Sequence, residues 1–177
     1  MKKTLSRAER LAYLGVFTAL ALLLSYLEHL LPLPLPIPGF KLGLCHLVVL
    51  FAAYFLTLLD AALLSFVRVI VSALLFGNIT SFLFSLTGTF LSFFAIVFAK
   101  KVLKGSVSFI GASALSAAAF NVGQILAAAF LYAGLSVFGY LPLLLIASAL
   151  FGGVVGLLLN LVALRLRVSF DCRKESL

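Results

Sequence analysis

Carboxylates are scarce in this chain. Five acidic residues stand among 177, namely Glu9, Glu28, Asp60, Asp171 and Glu175, and only 10% of all residues are charged. No two of the five form the aspartate-rich cluster that holds Mg²⁺ against a diphosphate. Soluble domains average about 25% charged residues. Here 64% of the residues are hydrophobic, more apolar surface than a domain of this size hides from water. Cysteine is sparser still: Cys45 and Cys172 lie far apart in sequence, nothing in their spacing suggests a metal clip or a disulfide framework, and both read as incidental. No GxxxxGK[ST] loop occurs, so ATP hydrolysis by that route is excluded.

What is present points to lipid as the solvent. A spanning helix needs about 20 apolar residues, and the apolar runs give six candidates, at 11–31, 42–59, 61–76, 80–99, 106–134 and 140–164. The fold class expected is an all-α integral membrane protein of six transmembrane helices. Residues 1–10 form the amino terminus, 11–164 one transmembrane domain, and 165–177 a basic tail. Only Asp60 divides the second and third runs, which predicts a tight helical hairpin. The third run is short enough to stop below one surface, and the fifth is long enough to tilt. The basic start MKKTLSRAER resembles a signal peptide, but the apolar run after it is too long and no small-residue cleavage site follows.

The net charge of +8 is distributed as topology signals rather than as a nucleic-acid face. With the amino terminus inside, eleven of the thirteen Lys and Arg residues are cytoplasmic, in clusters at 2–10, 100–104 and 165–174. Lys41 falls outside and Arg68 within a span. Both termini are therefore expected in the cytoplasm. On the outer side, residues 32–41 carry proline at 32, 34, 36 and 38. Alternate prolines favour an extended strand without half its N–H donors. Such a strap either caps an outward-facing cavity or sets helix entry angles.

Ionisable residues at membrane depth are costly and are functional candidates by default. Arg68 leads them; it either pairs with Glu28 or binds an anionic ligand. Glu28, Asn78, Asn121 and Gln124 populate the outer half with hydrogen-bonding groups, and Asn121 and Gln124 share one helix face at i, i+3. The latter two serve a ligand or bond between helices. His46 beside Cys45, with His29 and Glu28 near in sequence, shows no helical spacing for a metal, and none is expected. The Phe-rich fourth run offers Phe82 and Phe90 either as stacking platforms or as lipid-facing filler. Ala8, Ala12, Gly15 and Ala19 recur at steps of 4, 3 and 4 on helix one, a face for close helix approach within the chain or with a partner. Gly152 and Gly156 form a GxxxG for packing.

The stretches PGFKLGLCHLVVLF, DAALLSFVRVIVSALLFGNITSFLFSLTGTFLS and FNVGQILAA resemble the Gx transporter family, often labelled heptaprenyl diphosphate synthase component I. The resemblance covers roughly residues 10–165; Cys45 and His46 depart from the small and Asn residues expected after KLGL. The family is similar to the substrate-binding S components of energy-coupling factor transporters. It implies a multi-pass carrier of the bacterial cytoplasmic (inner) membrane with an outward-facing pocket. The implied cargo is a vitamin-like molecule, a flavin such as FMN or FAD, moved to supply flavinylation outside the cytoplasm, with no resident cofactor. Helix one of such proteins docks a coupling subunit through small residues, the use that Ala8, Ala12, Gly15 and Ala19 match. For a flavin, Arg68 and Lys41 would meet phosphate, Asn78, Asn121 and Gln124 would read the ring edge, and Phe82 or Phe90 would stack. A membrane subunit associated with prenyl diphosphate synthesis is the alternative.

Overall fold

Local sequence sets where the helices begin. Ser6 and Glu9 form a capping box: the Ser6 amide donates to Glu9 Oε2 at 2.8 Å and the Glu9 amide to Ser6 Oγ at 3.2 Å. Helix α1 follows as Arg7–Leu30. Thr57 and Asp60 repeat the device with amide-to-side-chain bonds of 3.2 Å each way, opening α3, Leu58–Phe76. Ser108 Oγ accepts from the Gly111 amide, just ahead of α5, Phe109–Tyr132. The other helices are α2, His46–Phe55, α4, Ile79–Lys101, and α6, Leu141–Arg165, the last preceded by a 3₁₀ turn at Leu135–Tyr140. This computed structural model describes residues 6–30, 45–76, 79–102, 108–132 and 135–165. The Pro-rich segment 32–41 with Lys41, Asn78 and residues 166–177 of the basic tail lie outside them.

Five helical stretches are long and apolar enough to cross a membrane: Arg7–Leu30, Leu58–Leu75, Ile79–Lys101, Phe109–Tyr132 and Phe138–Leu158. The chain is a multi-pass membrane protein. Two expectations require correction. The run 42–59 does not form a spanning helix, because α2 has 10 residues, about 15 Å at 1.5 Å per residue, half a hydrocarbon core. Conversely, the run expected to be short becomes α3 with 19 residues. The reason lies at Leu56–Thr57, where the chain turns. Asp60 is not the break between the helices but the third residue of α3, committed to its cap. The expected hairpin is present, with its turn three residues earlier than Asp60. The helix of the fifth run starts at Phe109, later than the expected 106.

Arg10 fixes the levels of the bundle. Its Nε donates to Asp60 Oδ1 and Oδ2 at 3.0 and 2.9 Å, and its Nη2 donates to Oδ1 at 2.7 Å, so α1 and α3 start side by side. Lys100, near the end of α4, donates to the Ala53 carbonyl in the last turn of α2. The start of α2 thus lies about 15 Å inward from this charged end, near mid-bundle.

Helices α4, α5 and α6 form the tightest part of the bundle. A Cβ on Gly123 would fall 2.7 Å from both Gly88 Cα and the Thr87 carbonyl oxygen, so the α4 and α5 backbones touch only because both residues are glycine. Gly152 performs the same service against Ala114 of α5, and Gly156 against Ile110, the packing role expected of that GxxxG. Lipid gives apolar helices no hydrophobic incentive to associate, and close backbone approach supplies dispersion instead. A second cluster, including Val48, Val49, Leu50, Leu64 and Ile96, joins α2 and α3 to this block.

Candidate functional site

Arg68 sits one residue past the middle of α3 and is 0% exposed. Its Nη1 donates to Ser25 Oγ of α1 at 3.2 Å and to Cys45 Sγ at 2.7 Å; its Nη2 donates to Thr89 Oγ1 of α4 at 2.7 Å. One guanidinium therefore ties α1, α3, α4 and the residue that opens α2. Burying a cation costs several kcal/mol even after relaxation, and two hydroxyls and a sulfur make a modest return. Among the described residues its Nε has no hydrogen-bond partner. Glu28, buried, lies one turn beyond Ser25 on the same face of α1.

Next to this layer lies His46, the first residue of α2. Its Nδ1 is 3.1 Å from Ser92 Oγ, and its ring packs on Phe120 with centroids 4.2 Å apart at 59°. Among the described residues His46 Nε2, Ser85 Oγ and Asn121 Oδ1 also lack hydrogen-bond partners. The Asn121 amide nitrogen donates to the Leu144 carbonyl of α6 at 3.0 Å, which aligns the side chain and leaves its oxygen. Gln124 is fully buried one turn farther along α5. An orphaned buried polar atom costs about 1–3 kcal/mol. Four such atoms from α2, α3, α4 and α5 form a polar stratum that the apolar bundle itself does not need.

The α4 contribution shows why the sequence conceals this site. In apolar helices a hydroxyl usually returns to its own backbone. Thr18 does so to Leu14, Ser65 to Ala61 and Thr87 to Leu83. Thr89 and Ser92 instead reach across to Arg68 and His46. With Ser81 and Ser85 they recur at steps of 4, 4 and 3, all buried on one face of α4. That spacing was the available signal.

The remaining expected residues fall in different places. Arg68, Glu28, Asn121 and Gln124 are buried in the bundle. Phe82 is half-buried. Phe90 is 63% exposed and packs edge-on against Phe94, 4.8 Å between centroids, so it lies on the outer face of α4 and not in the cluster. Cys45 is not incidental: it holds Arg68 and accepts the Val48 amide at 3.1 Å. Lys41 and Asn78 belong to segments outside the described residues. Ala8, Ala12, Gly15 and Ala19 are all exposed on α1, and a Cβ at Gly15 would meet nothing within 4 Å. No group of three or more His, Cys, Asp or Glu side chains is placed to hold a metal among the described residues. A separate groove between α4 and α5, lined by Leu83, Thr87, Leu126, Ala127, Phe130 and Leu131, is almost wholly apolar.

The described chain is a multi-pass helical bundle with a buried cationic, hydroxyl-rich cluster. Residues 17–162 match the family model for heptaprenyl diphosphate synthase component I, and the chain belongs to that family. No curated protein and no solved structure matches it.

Proposed function

We propose that the protein is a substrate-binding membrane carrier for a small vitamin-like molecule, a flavin with a phosphate, FMN or FAD. One observation carries this reading. Arg68, His46, Ser85 and Asn121 are buried at the junction of four helices, each with a polar atom that no described residue satisfies. A folded chain retains such a cost where a ligand offsets it. A flavin presents ring carbonyls and nitrogens for Asn121, Gln124 and Ser85, an aromatic face for Phe120 or Phe82, and phosphate for Arg68 and Lys41. Arginine offers phosphate a bidentate fork. The carrier binds without transforming its cargo. It faces outward with both termini in the cytoplasm of a bacterium, and its energy comes from a partner or a gradient. The exposed small-residue face of α1 is where a partner's transmembrane helix docks.

The test is titration of purified, detergent-solubilised protein into riboflavin, FMN and FAD, followed by flavin fluorescence. Saturable quenching that favours FMN or FAD over riboflavin is expected. Absence of quenching with all three, from protein whose circular dichroism shows intact helices, removes the flavin from the reading. A membrane subunit associated with prenyl diphosphate synthesis, as the family's description suggests, would then be examined by co-purification with a synthase.

A further inference from the structure

The two ends of α2 are treated unequally. At its carboxyl end, where the helix dipole is negative, Lys100 donates to the Ala53 carbonyl and its Nζ lies 5.7 Å from the centre of the Tyr54 ring. That end is electrostatically matched. At the amino end the dipole is positive, and the group that meets it is again a cation. Arg68 Nη1 is 2.7 Å from Sγ of Cys45, the residue that caps α2. Cys45 makes no side-chain capping hydrogen bond to the first turn. Like charge is thus gathered at mid-bundle, inside a group of residues that are almost wholly buried: Arg68 0%, Cys45 0% and His46 3% exposed. Arg68 Nε and His46 Nε2 are both without partners there among the described residues.

We infer that the amino end of α2 and Arg68 together form a binding site for an oxyanion of the phosphate or diphosphate class. A phosphate oxygen is the complement of every feature present. It accepts from a guanidinium and from a hydroxyl such as Thr89, and its charge suits the positive end of a helix dipole. It also neutralises the one fully buried cation of the described bundle. This deepens the carrier reading, because it names the chemical group by which cargo is gripped and does not depend on the flavin ring. The phosphate is carried either by a soluble molecule or by a lipid headgroup.

The experiment is equilibrium dialysis of radiolabelled inorganic pyrophosphate against the full chain in dodecyl maltoside, a detergent without phosphate, at fixed chloride. Saturable binding is expected, weakened about 10-fold or more in Arg68→Gln, the worth of a charge-assisted bond, and less in Arg68→Lys, which keeps the charge and loses the fork. Pyrophosphate that binds no better than an equal charge of sulfate, or binds equally to Arg68→Gln, overturns the site. Should neither variant fold, Cys45 locates the ligand in the otherwise native chain carrying Cys172→Ser. Cys45 is buried, so maleimide reaches it only as the bundle opens, and pyrophosphate at ten times its Kd slows that modification about tenfold; unslowed modification overturns the site. Protection by added phosphatidylglycerol without soluble phosphate supports the anion site and assigns the phosphate to lipid. Pyrophosphate binding without flavin binding keeps this inference and removes the flavin, whereas flavin binding without pyrophosphate or Arg68 dependence does the reverse.

Discussion

Arg10 and Asp60 are joined by three hydrogen bonds of 2.7 to 3.0 Å although 50 residues separate them. The pair stands at the end of the bundle where α1 and α3 start. Asp60 also accepts from the Thr57 hydroxyl at 2.8 Å, so one carboxylate both caps a helix and positions its neighbour.

That double duty predicts non-additive mutations. Asp60→Ala removes the cap and the partner together, and should lower the thermal midpoint more than Thr57→Ala, whose capping loss is about 1 kcal/mol. Arg10→Ala in the Asp60→Ala background should cost less than Arg10→Ala alone. Equal costs in the two backgrounds, read by circular dichroism in nanodiscs, would show that the pair contributes nothing.

Glycine positions divide sharply. Gly123→Leu drives a side chain into the Gly88 and Thr87 backbone, and overpacking of this kind costs about 1–3 kcal/mol or separates the helices outright. Gly15→Leu, with open space around it, should change stability by no more than about 0.5 kcal/mol. If the α1 face docks a partner helix, Gly15→Leu lowers co-purification of that partner while the midpoint holds. A stable Gly123→Leu protein would contradict the α4–α5 contact.

Thr89→Val keeps side-chain volume and strips Arg68 of one acceptor. Hydrogen bonds to charged groups are worth about 1.5–3 kcal/mol, and a loss in that range is expected on thermal or denaturant unfolding. Thr87→Val, whose hydroxyl only returns to its own helix, serves as the comparison and should cost far less. Similar losses for the two would remove Thr89 from the Arg68 cluster.

Lys100→Met tests the matched end of α2. It deletes the bond to the Ala53 carbonyl and the approach to Tyr54, effects of about 0.5–1 kcal/mol each. Hydrogen exchange should report the loss in the last turn of α2, with α5 and α6 unchanged. Uniform acceleration across the bundle would mean that Lys100 acts elsewhere.

Hydropathy revealed the helical class and most of the long helices, because an apolar run of 20 residues has few other homes. It misjudged α2 and α3, since Leu56 belongs to the same apolar run whether the chain continues or turns. The turn was written instead in Thr57 and Asp60, a capping box read only as a charged interruption. Within the site, Arg68, Asn121 and Gln124 were legible because large polar groups stand out against Leu and Phe. Cys45, His46, Ser25, Thr89 and Ser92 were not. A lone cysteine or a serine in an apolar helix is ordinarily silent, and only the fold decides whether its polar atom turns back to its own helix or crosses to another. Phe90 erred in the opposite sense: helix α4 carries phenylalanine on its outer face as well as toward its neighbours, and composition does not separate the two.

The glycine contacts weld α4, α5 and α6 into one block, while α1, α2 and α3 meet that block through looser packing. Polar links that cross between the two halves include Arg68 to Thr89, His46 to Ser92, and Lys100 to the Ala53 carbonyl. The first two are made by the very groups proposed to hold an anion. A ligand that takes the guanidinium away from Thr89 therefore releases a fastening between the halves as it binds. If an anion occupies the proposed site, recognition and this fastening draw on the same donors, so occupancy of the site and the strength of the link between the two blocks are coupled.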